Sequence, residues 1–177
     1  MVGEVLVISG PPGAGKTTVA ALVADSFDLS ILVKGDAFFS FLRRGAIEPW
    51  LPASAEQNDV VTAAAGAATG RFADGPHTVV YDGVVGPWYL STFLQHTRVA
   101  SLSYAVLLPP VEQCVDQVRE RVGHGFTDEP ATRAMHQQFR EADIDPRHVF
   151  ANPTGGLEET VESILAAHQQ GTLHVTA

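Results

Sequence analysis

Residues 10–17 constrain the fold of this chain more than any other part of its sequence. They read Gly-Pro-Pro-Gly-Ala-Gly-Lys-Thr and fit the pattern G-x-x-x-x-G-K-[ST] in full. At this chain's composition, roughly 0.002 accidental matches to that pattern are expected. An apolar run at residues 4–9 precedes the segment, and residues 17–27 place their apolar side chains on one helical face. The sequence therefore predicts a strand, a glycine-rich loop and a helix in immediate succession.

The residue types of this loop suit the binding of a nucleotide's phosphates. Glycine lets consecutive backbone N–H groups turn inward as an anion-binding nest, and the positive end of the following helix adds its dipole. The lysine is expected to reach the β- and γ-phosphates of ATP, and the hydroxyl after it to ligate Mg²⁺. An ordinary glycine-rich turn is the alternative. The residues predicted to bind the phosphates are Gly10, Gly13, Ala14, Gly15, Lys16, Thr17 and Thr18.

Apolar runs of strand length alternate with helix-period segments along the rest of the chain. Such alternation predicts a three-layer α/β fold, with a parallel five-stranded sheet covered by helices on both faces, in a single domain of residues 1–177. A folded chain of this length buries roughly 70% of its unfolded surface, so one core suffices. Strands are predicted at residues 4–9, 30–33, 78–81, 100–108 and 148–151, and helices at residues 17–27, 111–122 and 157–168.

Two helix-rich stretches interrupt this alternation. Residues 36–77 are interpreted as a helical, substrate-binding insertion and residues 119–145 as a lid. Both follow strands, and ligands of such sheets bind at the carboxyl ends of the strands. Within the insertion, residues 54–57 fit a capping box that would open an alanine-rich helix reaching Phe72.

Composition and charge exclude several classes of function. The formal net charge of −9 and the pI near 5.1 repel a nucleic-acid backbone, so no nucleic-acid partner is expected. No apolar run reaches the ~18 residues of a membrane span, and a cytoplasmic monomer or homodimer is expected. The histidines show no metal-ligand spacing, so no structural metal is expected, and His124 and His136 are predicted at the surface or in the lid. Cys114, the single cysteine, is predicted to be a buried hydrophobe.

Two aspartates follow strands at the places where phosphate chemistry needs carboxylates. Asp82 ends the strand at residues 78–81 and is predicted to hold Mg²⁺ through a bound water, the alternative being a turn-forming Asp-Gly pair. Asp36 ends the second strand and is predicted to accept the proton of an attacking hydroxyl. Its alternative role is that of a helix N-cap for residues 37–42.

Arginines near the lid are candidates for stabilising a transferring phosphoryl group. Arg121 and Arg133 are predicted to close over the reaction, the alternative being solvated arginines at helix ends. Arg43 and Arg44 either hold an acidic substrate or lie on a solvated face. Asn152 begins a segment that either faces the adenine or caps the last helix.

These motifs together resemble the P-loop kinases of the nucleotide and small-metabolite type, which include adenylate, shikimate and gluconate kinases and chloramphenicol phosphotransferase. The resemblance covers most of the chain and is carried by the loop, by Gly35-Asp36, by Asp82-Gly83 and by the arginine-bearing lid. Residues 120–126 and 49–51 are similar to parts of the gluconate kinase lid and insertion. The resemblance implies a P-loop NTPase fold and transfer of the γ-phosphate of ATP, with Mg²⁺, to a hydroxyl of a small molecule.

The nature of the acceptor stays open at this point. Adenylate-type kinases are expected to carry arginines for an acceptor phosphate soon after Gly-Asp and again after Asp-Gly; here the first possible one is Arg43, and residues 82–88 contain none. The aromatic residues that either contact an uncharged or amphiphilic acceptor or pack in the core are Phe38, Phe39, Phe41, Trp50 and Trp88. A nucleoside or nucleoside monophosphate kinase, and an ATP-binding regulatory module without an acceptor, are the alternative functions.

Overall fold

A six-stranded sheet forms the centre of the computed structural model, which describes residues 3–120, 127–151 and 156–176. Its parallel strands are β1 (Val5–Ser9), β2 (Ser30–Lys34), β3 (Thr78–Asp82), β4 (Ser101–Leu107) and β5 (Val149–Phe150). They are arranged in the order β2-β3-β1-β4-β5. The predicted parallel five-stranded sheet is therefore confirmed, with strand ends that differ by at most one residue from those predicted from the sequence.

The strand that precedes the glycine-rich loop lies in the middle of this sheet and is buried along its whole length. Val5 and Val7 pack into the core on one face of the sheet, and Leu6 and Ile8 pack into the core on the other. A nearly continuous apolar run is typical of a parallel strand covered on both sides. The two cores hold β1, and therefore the start of the loop, in a fixed position.

Helices cover both faces of the sheet. On the face to which Leu6 and Ile8 point, here called the first face, the helices are α1 (Lys16–Asp25), α5 (Val111–Glu120) and α7 (Leu157–Gln169). They contribute Val23, Cys114 and Ile164 to the core on that face. On the second face they are α3 (Ala55–Ala73), α4 (Pro87–Thr97) and α6 (Glu129–Glu141), which contribute Ala65, Phe93 and Phe139 to the other. The short helix α2 (Asp36–Phe39) follows β2 directly. Among the described residues, no helix is both long and apolar enough to cross a membrane.

Three features of the fold differ from the sequence-based expectation. Helix α4 was not predicted, although Pro87 at its first turn and the apolar pair Phe93 and Leu94 are typical helix signals. A sixth strand, β6 (His174–Thr176), pairs antiparallel with the first half of β4. The capping box was wrong, because the Ser54 hydroxyl donates to the carbonyls of Pro49 and Leu51 and caps no N–H group of α3.

The long helix α3 packs closely against α4 through two glycines one turn apart. A Cβ on Gly66 would lie 2.6 Å from the carbonyl oxygen of Phe93, and a Cβ on Gly70 would overlap the backbone of Thr97. Side chains at these positions would separate the two helix backbones. The predicted insertion, residues 36–77, therefore contains a helix that is fixed to the second face of the sheet through α4.

We expect Gly70→Ala to lower the free energy of unfolding by about 1–3 kcal/mol, because the added methyl group overlaps the Thr97 carbonyl. Replacing an ordinary glycine inside a helix by alanine has the opposite effect, because it raises the free energy of unfolding by about 1 kcal/mol. The reverse change at the exposed Ala67, Ala67→Gly, is the control and should cost about 1 kcal/mol. Chemical denaturation measures the free energy of unfolding of the wild type and of both variants. Stabilisation by Gly70→Ala would contradict the close packing of α3 against α4.

Candidate functional site

The loop at residues 10–17 lies against two backbone carbonyls, which leaves no space for side chains at two of its glycines. Cβ atoms on Gly10 and Gly13 would overlap the carbonyl oxygens of Leu107 and Cys114. Both glycines also have positive φ, 139° and 76°, a conformation that other residues rarely adopt. The loop is thereby fixed between the end of β4 and α5.

The outer side of the loop faces open space at the start of α1. Gly15 has φ 86° and is the N-cap residue of this helix, and no side chain caps the helix there. A Cβ on Gly15 would meet no atom within 4 Å. The first N–H groups of a helix lack intrahelical acceptors and carry the positive end of the dipole, so this end of α1 suits an anion.

The side chains of Lys16 and Thr17, at the end of the loop, lie close to that of Asp82. The Lys16 ammonium donates to the carbonyl of Pro11 at 2.9 Å. Asp82 is paired in register with Ile8 of β1, and its carboxylate interacts with the Thr17 hydroxyl and the Lys16 ammonium. Burial raises the pKa of the Asp82 carboxyl above its ordinary 3.8, while that hydroxyl and that ammonium act in the opposite direction. Asp82 as a whole is only 7% exposed, so the charge of its carboxylate needs these partners.

Asp36 is held close to Asp82 by the backbone. The N–H of Gly35 donates to the carbonyl of Asp82 at 2.7 Å, which joins the ends of β2 and β3. Asp36 is exposed, and it is the first residue of α2, whose N-cap position belongs to Gly35. The alternative role of Asp36 as an N-cap is therefore wrong. Burial, together with the charges of Asp36 and Asp82, raises the pKa of the Tyr81 phenol, which stays neutral beside the two carboxylates.

Two cavities reach the loop from different sides. The first has a volume of about 780 Å³, is lined by Lys16 and Asp36, and extends toward α3, α4 and α6; we call it the α2 cavity. The second has a volume of about 380 Å³ and lies beside Gly15 and Thr18, between α5 and the start of α7; we call it the α7 cavity. The loop thus separates two spaces that ligands can enter.

The aromatic residues singled out in the sequence separate into two groups. Phe39, Trp50 and Trp88 line the α2 cavity. Phe38 instead packs against the core, and Phe41 is 75% exposed with its ring against that of Phe38. Core packing, the alternative explanation, therefore applies to Phe38, while three of the five rings face the cavity.

Arg133, one of the two arginines predicted to close over the reaction, lines neither cavity. Arg133, on α6, makes two hydrogen bonds of 2.7 Å to the Glu112 carboxylate of α5 and also binds Glu129. Arg119 binds Glu129 as well. These arginines lower the pKa of both glutamates, and Arg133 lines neither cavity. Arg121, His124 and Asn152 lie outside the described residues.

Two residues near the chain that leaves β4, Cys114 and His136, are buried. Cys114 is fully buried, which confirms its prediction as a small hydrophobe, and burial raises the pKa of its thiol to about 11. His136 lies within the predicted lid but is buried, contrary to a surface position, and its Nε2 atom donates to the carbonyl of Pro109 at 2.8 Å. This bond ties α6 to the chain that leaves β4.

Sequence reasoning missed several polar residues of the α2 cavity, among them Asn58, Thr62, Gln138 and Glu141. A signal for the first two exists, because Ser54, Asn58 and Thr62 recur every four residues beside and within an alanine-rich helix. That spacing predicts one polar stripe on an otherwise small apolar surface. Among the described residues, no group of three or more His, Cys, Asp and Glu side chains can hold a metal ion.

Comparisons of the sequence with known proteins identify similar ones. A family model described as AAA domain matches residues 5–142. A cytidylate kinase of Archaeoglobus fulgidus is 30% identical over 137 residues, which are 77% of this chain and 72% of that protein.

Solved structures resemble the chain as well. A sugar kinase from Janibacter sp. HTCC2649 has a TM-score of 0.71 at 20% identity and covers 94% of this chain and 95% of its own. A gluconokinase from Sinorhizobium meliloti 1021 has a TM-score of 0.65 at 18% identity and covers 96% of this chain and 93% of its own. At these identities the likeness establishes the fold.

We expect Asp82→Asn to raise the melting temperature of the ligand-free protein at neutral pH. Burial raises the pKa of this carboxyl in the folded state, so the wild type loses stability as pH rises from the ordinary carboxyl pKa through the raised one. The amide carries no charge and still accepts from Thr17. Thermal unfolding measures the gain, which should shrink as the pH falls toward 3.8. Asp28→Asn, at an exposed turn position, is the control, and an equal gain there would contradict this explanation.

Proposed function

The chain belongs to the P-loop kinases that the AAA domain model describes, and from this membership we propose that it transfers the γ-phosphate of ATP to a hydroxyl group of a small molecule. One observation carries the proposal: residues of the glycine-rich loop line two cavities, Lys16 in one and Gly15 in the other. A phosphoryl transfer needs such an arrangement, because donor and acceptor must approach the phosphate from opposite sides.

The nucleotide is assigned to the α7 cavity and the loop. The base has apolar surfaces at Leu107, Phe150 and Leu157 and amides at Gln113 and Gln117. The segment of Asn152 lies in the sequence between Phe150 and Gly156, both of which line this cavity, in keeping with an adenine-facing loop. The triphosphate then extends over the loop amides and the uncapped start of α1, and Lys16 neutralises its terminal phosphates.

Mg²⁺ fits the oxygen donors beside the loop. The Thr17 hydroxyl and the Asp82 carboxylate interact directly, and Mg²⁺ is usually bound by one or two protein oxygens, waters and substrate phosphates. The ion would neutralise charge on the phosphates when bound.

The acceptor is assigned to the α2 cavity, where Asp36 is the proposed base. Its exposed carboxylate lines the same cavity as Lys16 and would take the proton of the attacking hydroxyl. The acceptor oxygen forms a bond to the γ-phosphorus while the bond to the bridging oxygen breaks, and ADP leaves. Arg121 and Arg133 remain candidates for closing over this charge, although Arg133 would have to exchange Glu112 and Glu129 for phosphate oxygens.

A nucleoside monophosphate kinase is the second candidate, favoured by the 30% identity to a cytidylate kinase. The two functions, and a regulatory ATPase without an acceptor, are separated by measuring ATP consumption alone and with panels of metabolites, nucleosides, nucleoside monophosphates and antibiotics. Mass spectrometry then identifies the phosphorylated product. Stimulation by one hydroxyl compound supports the proposal, and unstimulated hydrolysis across all panels would contradict it.

We expect Lys16→Ala to reduce phosphoryl transfer by about a hundredfold or more, because one positive charge on the transferring phosphate is lost. Lys34→Ala removes the only other lysine of the chain, which lines neither cavity, and should retain most of the activity. Circular dichroism verifies that both variants are folded. Similar losses in the two variants would contradict the role of Lys16.

We expect Asp36→Asn to bind Mg·ATP with the affinity of the wild type and to lose about 10²–10⁴-fold in turnover, the usual contribution of a general base. Isothermal calorimetry measures the binding and the product assay measures the turnover. Asp28→Asn serves again as the exposed control. Normal turnover in the Asp36 variant would refute its assignment as the base.

A further inference from the structure

The walls of the α2 cavity are largely aromatic and apolar. Phe39 comes from α2, Trp50 from the loop before α3, and Trp88 and Tyr89 from the start of α4. Met135 of α6 also lines the cavity. Its volume of about 780 Å³ lies within the ~300–1,000 Å³ of pockets that bind small organic molecules. Such walls bind a flat or apolar molecular body.

The charges of this cavity are unfavourable for an anionic acceptor. Among the described residues that line it, Lys16, Asp36 and Glu141 alone are charged. None of the arginines in the described part of the chain lines it. If Lys16 serves the phosphates of ATP, a carboxylate or phosphate on the acceptor would face two carboxylates and, among the described lining residues, no cation of its own. That is a costly arrangement in a partly desolvated site.

The neutral polar groups of the cavity suit hydroxyl groups instead. The Asn58 amide donates to the carbonyl of Pro49 at 2.7 Å and to the Ser54 hydroxyl at 3.0 Å, which uses both of its N–H groups. Its carbonyl oxygen has only a long contact, 3.5 Å, with Gln57 and can accept from a ligand hydroxyl. Thr62 lies one turn further along the same helix and also lines the cavity.

The segment that carries Trp50 is also held in place by hydrogen bonds within the protein itself. Gln57 of α3 binds both backbone groups of Ile47, accepting from its N–H at 2.8 Å and donating to its carbonyl at 2.7 Å. With the bond from Asn58 to Pro49, these contacts fasten the segment that carries Trp50 onto α3. A wall fixed in this way loses little conformational freedom when a ligand binds.

From these observations we infer that the acceptor is a hydroxyl compound with an aromatic or otherwise apolar body and with neither phosphate nor carboxylate. The inference rests on the proposed function, because it assigns Lys16 to the nucleotide. It separates this chain from kinases of phosphorylated acceptors, such as the cytidylate kinase that it resembles, whose name denotes a nucleoside monophosphate.

The binding test uses the chain's own fluorescence, because both of its tryptophans, Trp50 and Trp88, line this cavity. The probes form two matched pairs: 3-phenyl-1,2-propanediol with 3-phenyllactate, and cytidine with cytidine monophosphate. Each is titrated into the full chain with Mg²⁺ and a non-hydrolysable ATP analogue. The neutral member of each pair should bind at least about tenfold more tightly than the anionic member.

Matched variants connect this preference to the cavity. Phe39→Ala removes a ring that lines it and should raise the dissociation constant of the phenylpropanediol about tenfold. Phe41→Ala removes an exposed ring from the same short segment and should leave that constant unchanged. Gln138→Arg adds a cation to the α6 wall and should reduce or reverse the preference against 3-phenyllactate.

Tighter binding of the anionic member in either pair, no fluorescence response to the diol, or equal effects of the two phenylalanine variants would overturn the inference. Phosphorylation of cytidine monophosphate or 3-phenyllactate as the preferred substrate would overturn it as well, yet leave a phosphotransferase. Failure of the proposed function has a different result: calorimetry would show no binding of Mg·ATP, or ATP would be hydrolysed without stimulation by any acceptor, while the fluorescence preference within each pair could still be measured.

Discussion

The contact between the glycine-rich loop and two carbonyl oxygens is the constraint on which the rest of the site depends. Gly10 and Gly13 approach the carbonyls of Leu107 and Cys114 so closely that no side chain fits between them. Because the inner side of the loop is occupied by backbone, its outer side and the start of α1 are left for a ligand. Residues of the loop line both the α2 and the α7 cavity, and the proposed division between donor and acceptor rests on that arrangement.

Short-range signals were sufficient to predict the sheet and the centre of the site. The apolar runs specify the parallel strands, since the three central strands, β3, β1 and β4, are buried over most of their length and need apolar residues there. The loop pattern and the position of Asp82 at the end of a strand place Lys16, Thr17 and Asp82 together, because parallel strands end at the same edge. These relations need no knowledge of distant packing.

Features that depend on partners far along the chain could not be predicted. Whether an arginine on α6 turns toward a ligand or toward α5 is decided by Glu112, 21 residues away, which binds Arg133. His136 is buried because Pro109 offers it a carbonyl, 27 residues away. The three residues of β6 form a strand only because β4 leaves half of one edge unpaired by β5. In each case the local residues are compatible with an exposed position.

The position of Cys114 has a consequence for the chemical durability of the loop. Its carbonyl supports Gly13, while its side chain points into the core and its thiol, with a pKa of about 11, stays protonated at neutral pH. Oxidants and alkylating reagents attack the thiolate of an accessible cysteine. The thiol of Cys114 is therefore protected from oxidants and alkylating reagents in the native fold. Oxidation of this residue is not a route by which oxidative stress disturbs the phosphate-binding backbone.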